Sequence, residues 1–229
     1  MLFRDKLNTL TCVNRLSAWN SWIKVVPRVS ALKFMDFFFG GFMKTEYEVR
    51  LLEIDHDLMI EKLEKLGAQK VFGAMQERKV YDFHPVDPNR WIRLRTNGLK
   101  TTLTIKELKD KTITGTKEAE IEVSSFADTD EILNQLGYEA RSYQQNFRIQ
   151  YILDDVEIDL DRWPLIPEYM EIEGKSTADV YAVLDKLGIN KDAVTTMDVD
   201  SIYKYYGIDD ICHMPKLLFK EEDEKCLKN

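Results

Sequence analysis

Cysteine and histidine are scarce in this chain, and neither is clustered. Cys12, Cys212 and Cys226 are far apart and form no C-x-x-C pair. That excludes a disulfide framework and a zinc knuckle, and it fits a reducing compartment, so a cytoplasmic location is expected. His56, His84 and His213 are equally scattered. A histidine-based metal centre is therefore not expected, and each reads as a surface or loop residue. Long apolar runs are also missing. The stretch "MDFFFGGF" is too short to span a bilayer, and Lys33 and Asp36 interrupt the apolar run around it. No signal-peptide core followed by a small-residue cleavage site is present, so no membrane partner is expected.

What is there is a globular composition, 44% hydrophobic and 31% charged over 229 residues. The charge is divided unevenly. Residues 1–42 hold six bases (Arg4, Lys6, Arg15, Lys24, Arg28, Lys33) and two acids (Asp5, Asp36), a balance of +4, which leaves −12 of the chain's −8 on residues 43–229. Residues 1–42 are expected to be an N-terminal extension, disordered or upstream of a true start at Met43, with a domain at 43–207 and a tail at 208–229. A net −12 argues against duplex nucleic acid as a partner, because that binding needs a basic surface.

From Met43 the chain repeats a unit. "EYEVR" leads to a helical stretch at 57–66 closed by Gly67; "KEAEIEV" leads to "TDEILNQLG"; "EYMEIEG" leads to "TADVYAVLDKLG". Three times an E-x-E strand precedes a short helix ending in Leu-Gly, where glycine suits a left-handed cap. The first two helices are each followed by another strand, "QERKVYDF" and "QNFRIQYIL", which indicates a weak internal duplication. Nearly every strand alternates. Trp91, Arg93 and Arg95 oppose Ile92 and Leu94; Thr102, Thr104 and Lys106 oppose Leu103 and Ile105; Asn146, Arg148 and Gln150 oppose Phe147 and Ile149; Glu157, Asp159 and Asp161 oppose Ile158 and Leu160. The class is α+β, built on an antiparallel sheet.

An antiparallel sheet with one solvated face yields the same alternation. What separates the two readings is the sorting of sign. "EYEVR", "AEIEV", "VEIDLD" and "EYMEIEG" put carboxylates forward in pairs, whereas "WIRLR", "TLTIK" and "NFRIQ" put bases forward without acids. Like charges two residues apart repel and do nothing for solubility. A closed sheet lined by these faces has bases for an anion and carboxylate pairs for a divalent metal, with its apolar outside covered by the helices.

In that order, Glu46-x-Glu48-x-Arg50, "WIRLR", the Thr-x-Lys of "TLTIK", "AEIEV", "VEIDLD" and "EYMEIEG" resemble the CYTH family of triphosphate tunnel metalloenzymes, from about Met43 to Gly174. The resemblance implies an eight-stranded antiparallel β-barrel forming a tunnel, with helices packed on its outside. It also implies a triphosphate substrate acted on with Mg²⁺ or Mn²⁺; family members include class IV adenylate cyclases, thiamine triphosphatases, inorganic tripolyphosphatases and RNA triphosphatases. Carried over by position, Glu46, Glu48 and Arg50 match the leading catalytic group. Glu46, Glu48, Glu120, Glu122, Asp159, Glu171 and Glu173 match metal-binding acids, and Arg50, Arg93, Arg95, Lys106 and Arg148 match the bases that grip phosphate. Oxygen ligands suit hard cations, and phosphoryl transfer depends on positioning and charge neutralisation. Two positions depart from the family pattern: Arg50 stands for a lysine, and Asn146 for a second base. The inward residue of Arg78 and Lys79 stays open, since a one-residue shift flips every side chain. The expected function is a metal-dependent hydrolase of inorganic tripolyphosphate, thiamine triphosphate or a nucleoside triphosphate, with an adenylate cyclase as the runner-up and a non-catalytic polyphosphate-binding module as a further alternative; a homodimer stays open. Trp163 reads as a tunnel cover or a core residue, and the tyrosines of "SIYKYYG" as helix packing.

Overall fold

The computed structural model describes residues 43–209, 211 and 214–220; the expectation for residues 1–42 lies outside them. Ten strands form one sheet: β1 (Lys44–Thr45), β2 (Tyr47–Leu52), β3 (Gln69–Asp82), β4 (Arg90–Thr96), β5 (Thr101–Leu108), β6 (Thr116–Val123), β7 (Ala140–Leu153), β8 (Val156–Arg162), β9 (Tyr169–Gly174) and β10 (Lys216–Leu217). The order is β1-β6-β5-β4-β3-β7-β8-β9-β2, all antiparallel, with β10 parallel to β7. Because β1 and β2 are one stretch of chain interrupted at Glu46, pairing β1 with β6 and β2 with β9 closes the ring. The Glu46 and Glu48 amides carry the pairing across the gap, donating to Thr116 O (3.0 Å) and Ile113 O (3.2 Å). Counting that stretch once gives the eight-stranded barrel.

Four α-helices are described: α1 (His56–Lys65), α2 (Phe126–Gln135), α3 (Thr177–Lys186) and α4 (Val199–Tyr205). The first three share one grammar. Asp55, Ser125 and Ser176 cap them by accepting from the amides of Leu58, Asp128 and Asp179, which satisfies one otherwise orphaned donor in each first turn. Gly67, Gly137 and Gly188 end them at positive φ, where a side chain would be strained. The strand-helix-strand duplication is visible in the ring, since β2-α1-β3 and β6-α2-β7 place β3 and β7 side by side as the longest pair.

The apolar side chains of each strand face outward to these helices. Val180, Val183 and Leu184 of α3 and Leu63 of α1 pack on Val49, Ile149, Ile158, Leu160 and Ile172. Full burial of each such aliphatic contributes about 2 kcal/mol. Leu133 of α2 covers Tyr81, Ile92 and Leu94. A third cluster joins Ile202 and Tyr203 of α4 to Trp163, Ile166, Ile211 and Leu217. The described part of the 208–229 segment is therefore packed: β10 pairs with Tyr143 and Gln144 beyond the end of β8, and Ser142 Oγ donates to Met214 O at 2.7 Å. One histidine differs from expectation. His84 is an exposed loop residue stacked on Tyr138, but His56 is 7% exposed, because the first turn of α1 lies against the barrel. No helix among the described residues is long and apolar enough to cross a membrane.

Candidate active site

The polar halves of the strands line a cavity of about 340 Å³, within the range of small-molecule sites. Charge inside it is sorted by strand, because each strand contributes alternate residues. Glu48 and Arg50 come from β2, with Glu46 just before it, Arg93 and Arg95 from β4, Lys106 from β5, Glu118 and Glu120 from β6, Arg148 from β7, Asp159 from β8, and Glu171 and Glu173 from β9. Eleven of the twelve site positions expected from sequence line this cavity: Glu46, Glu48, Arg50, Arg93, Arg95, Lys106, Glu120, Arg148, Asp159, Glu171 and Glu173. Glu122 does not. It sits near the end of β6, its side chain 68% exposed and 3.7 Å from Lys100. Alternation gives a residue's face but not whether the strand still borders the interior at that point.

Besides Glu118 and Glu120 of β6, which lie 3.8 and 3.4 Å from Arg93, the carboxylates fall into two groups. Glu48, Glu171 and Glu173 bring oxygens within 4.8 Å of one another. Register explains this: Glu48 pairs with Glu173, and Arg50 with Glu171. Burial, together with Glu46 and Glu171, pushes the Glu173 carboxyl up to about 9. Glu46 is pushed up to about 7 by burial and by Glu48 and Glu118, against Lys106, whose Nζ lies 2.9 Å away. A crowded set of buried carboxylate oxygens fits a hard divalent cation, which would offset their mutual repulsion. The second group, Asp159 and Asp161, holds Arg148. Arg148 Nε donates to Asp161 Oδ1 at 2.9 Å, Nη2 to Oδ2 at 2.5 Å, and Nη1 to Asp159.

The bases differ in how far the protein itself neutralises them. Arg50 is 2.6 Å from Glu171 and 3.0 Å from Glu48, and its Nη1 donates to Met197 O at 2.8 Å. It is a brace between two candidate metal ligands. Despite burial, Arg50, Arg148 and Lys106 hold Glu171 well below the usual carboxylate range. Arg95, by contrast, is lowered to about 10 by burial and by Arg93 and Arg148, with Glu120 at 3.7 Å. The open question at β3 resolves to Arg78, which is buried and lines the cavity, while Lys79 points outward to Asp130 on α2. The duplication carried the signal for this: Gly67 and Gly137 are 70 residues apart, and so are Arg78 and Arg148. Asn146, at the departure from the family pattern, joins the two sides, with Nδ2 donating to Asp161 (2.8 Å) and Oδ1 accepting from Arg78. Trp163 is a core residue of the α4 cluster whose side chain also lines the cavity.

The CYTH domain pattern matches residues 46–195, about two thirds of the chain. The chain belongs to the CYTH family. A search of curated protein sequences finds no match. Among solved structures, this CYTH chain is similar to a conserved hypothetical protein from Pyrococcus furiosus (TM-score 0.59, 22% identity, 69% of this chain and 99% of that one). It is also similar to a protein from Pyrococcus horikoshii (0.58, 22%, 72% and 99%) and to a candidate adenylate cyclase from Vibrio parahaemolyticus (0.60, 12%, 70% and 98%). At these identities the structural likeness establishes the CYTH barrel. The family includes triphosphatases and adenylate cyclases and is metal-dependent.

Proposed function

We propose that this protein is a metal-dependent hydrolase of a small-molecule triphosphate. One observation carries the reading: a single cavity holds both a carboxylate trio within 4.8 Å and arginines crowded by one another's charge. The two sets complement a substrate that is itself polyanionic and brings a divalent cation. Arg93, Arg95 and Lys106 bind phosphate oxygens; the guanidinium forks engage two oxygens at once, and the ammonium acts as a point charge. Arg50 keeps Glu48 and Glu171 apart and oriented, so the ligand geometry exists before binding. Mg²⁺ or Mn²⁺ held by Glu48, Glu171 and Glu173 would polarise a phosphoryl oxygen and offset the charge of the transferring group. The wall of alternating side chains surrounds the phosphates with fixed dipoles, which act more strongly than water would.

Trp91 favours a second reading. It lines the same cavity, where an indole ring would stack on a base, which suits ATP and attack by the ribose 3′-hydroxyl on the α-phosphorus, the adenylate cyclase reaction. The deciding experiment is phosphorus NMR of the full chain with Mg²⁺ or Mn²⁺ and tripolyphosphate, thiamine triphosphate or ATP, beside a Glu46→Gln, Glu48→Gln double variant. Orthophosphate that the variant does not release supports the hydrolase and ranks its substrates. Pyrophosphate and cyclic AMP from ATP support the cyclase. Absence of products from all three, with tight binding, leaves a polyphosphate-binding module.

A further inference from the structure

Arg78 is unlike the other bases of the cavity. It is 6% exposed, and no carboxylate lies within 4 Å of its guanidinium among the described residues. Its Nη2 donates to two neutral amides, Gln76 (3.3 Å) and Asn146, and its Nε has no acceptor. Burial and the charges of Arg93, Arg95 and Arg148 disfavour its charged form, with Asp161 opposing them. Asp161 is the nearest acid by connectivity, but both of its oxygens are taken by Arg148 and Asn146. The guanidinium lies 4.5 Å from the centre of the Trp163 ring. Trp163 is 4% exposed and Tyr169 1%; both line the cavity, and neither Trp163 Nε1 nor the Tyr169 hydroxyl has a hydrogen-bond partner. Tyr169 pairs in register with Asp161, two residues before Trp163, and the two aromatic residues belong to one buried cluster.

Three buried residues that line one cavity thus carry donors with nothing to accept from them. Buried donors are normally paired, and each orphan is costly. The complement of an N–H, an O–H and an uncompensated guanidinium is an acceptor-only anion. We propose that Arg78, Trp163 and Tyr169 form a phosphate pocket that holds the terminal phosphate of the substrate chain, or the orthophosphate released from it, without help from metal. The trio Glu48, Glu171 and Glu173 takes no part in that pocket. Tyr169 and Glu173 are four residues apart on β9, about 13 Å along an extended strand, so the pocket and the far end of the trio hold different parts of one substrate.

This inference rests on the triphosphate reading above, but its test does not depend on turnover. Orthophosphate, pyrophosphate and tripolyphosphate are titrated into the full chain in EDTA and followed by calorimetry and phosphorus NMR. Wild type is compared with Arg78→Gln, Trp163→Phe, Tyr169→Phe and, as a control outside the cavity, Glu122→Gln. Orthophosphate is expected to bind wild type and Glu122→Gln alike, and at least tenfold more weakly to Arg78→Gln, with smaller losses for the two aromatic variants. Tripolyphosphate is expected to displace it. If Arg78→Gln does not fold, the aromatic variants carry the comparison, because each keeps an aromatic ring and removes one donor. Orthophosphate that does not bind wild type, or that binds every variant equally, overturns the pocket. Metal-dependent hydrolysis that survives such a result leaves the proposed function standing.

Discussion

Replacing Glu173 with glutamine should stabilise the metal-free protein. The Glu173 carboxyl rises from 4.5 to about 9 on folding, first through burial and then through Glu46, Glu171 and Glu48. A carboxyl whose folded value is raised binds more protons in the folded state, so its contribution is favourable below pH 4.5 and is lost as pH rises towards 9. At pH 7 the gap from the unfolded value is about 2.5 units, which at about 1.36 kcal/mol per unit costs about 3 kcal/mol. Glutamine keeps the shape and removes the charge. The variant should therefore gain about 2–3 kcal/mol in EDTA at pH 7, or about 5–10 °C in Tm for a chain of this size, with the gap closing near pH 5. Urea and thermal unfolding at pH 5, 7 and 8.5, with EDTA and then with Mg²⁺ or Mn²⁺, measure it. With metal the order should narrow or invert, because the wild type gains a ligand that the variant lacks. A variant that is less stable than wild type in EDTA at pH 7, or a gap that does not change with pH, would refute the argument.

Arg50→Met should cost about 3–5 kcal/mol in urea unfolding, since it leaves Glu48 and Glu171 buried without their shared cation; a loss under 1 kcal/mol would mean that water reaches both acids. Tyr203→Phe should cost about 1 kcal/mol, because the hydroxyl donates to Pro164 O at 2.6 Å and ties α4 to the Trp163 loop. Acid should weaken the fold through His56. Burial and Arg162 lower its imidazole from 6.5 to about 4, so the stability present above pH 6.5 is lost as pH falls towards 4. His56→Leu should remove that part of the pH slope, and an unchanged slope would assign the loss to other groups.

The strands were largely legible because period two is a local property: "WIRLR" and "VEIDLD" show their faces without reference to any neighbour. Boundaries were less so. β3 begins at Gln69 and β7 at Ala140, before the alternation is readable, because each start is held by the far end of the other strand, Gln69 by Ile152 and Ala140 by Tyr81. His56 was read as exposed from composition, which cannot see that a helix's first turn lies against a sheet. Glu122 lies outside the cavity for a related reason, since only the closed ring decides where a strand stops facing the interior.

The sequence by itself determined the α+β class, one apolar and one charged face on each strand, the Leu-Gly helix ends and the order of acidic and basic strands that carries the family resemblance. Each is fixed by residue type and spacing within one segment. The tertiary structure decided which charges cancel. Arg148 and Arg78 stand 70 residues apart in equivalent halves of the duplication, yet Asp159 and Asp161 neutralise the first while the second meets only amides and an aromatic ring. That difference depends on which strands become neighbours when the 44–52 stretch closes the ring. Coulomb energies between buried groups depend on distances across the barrel, which no local pattern contains.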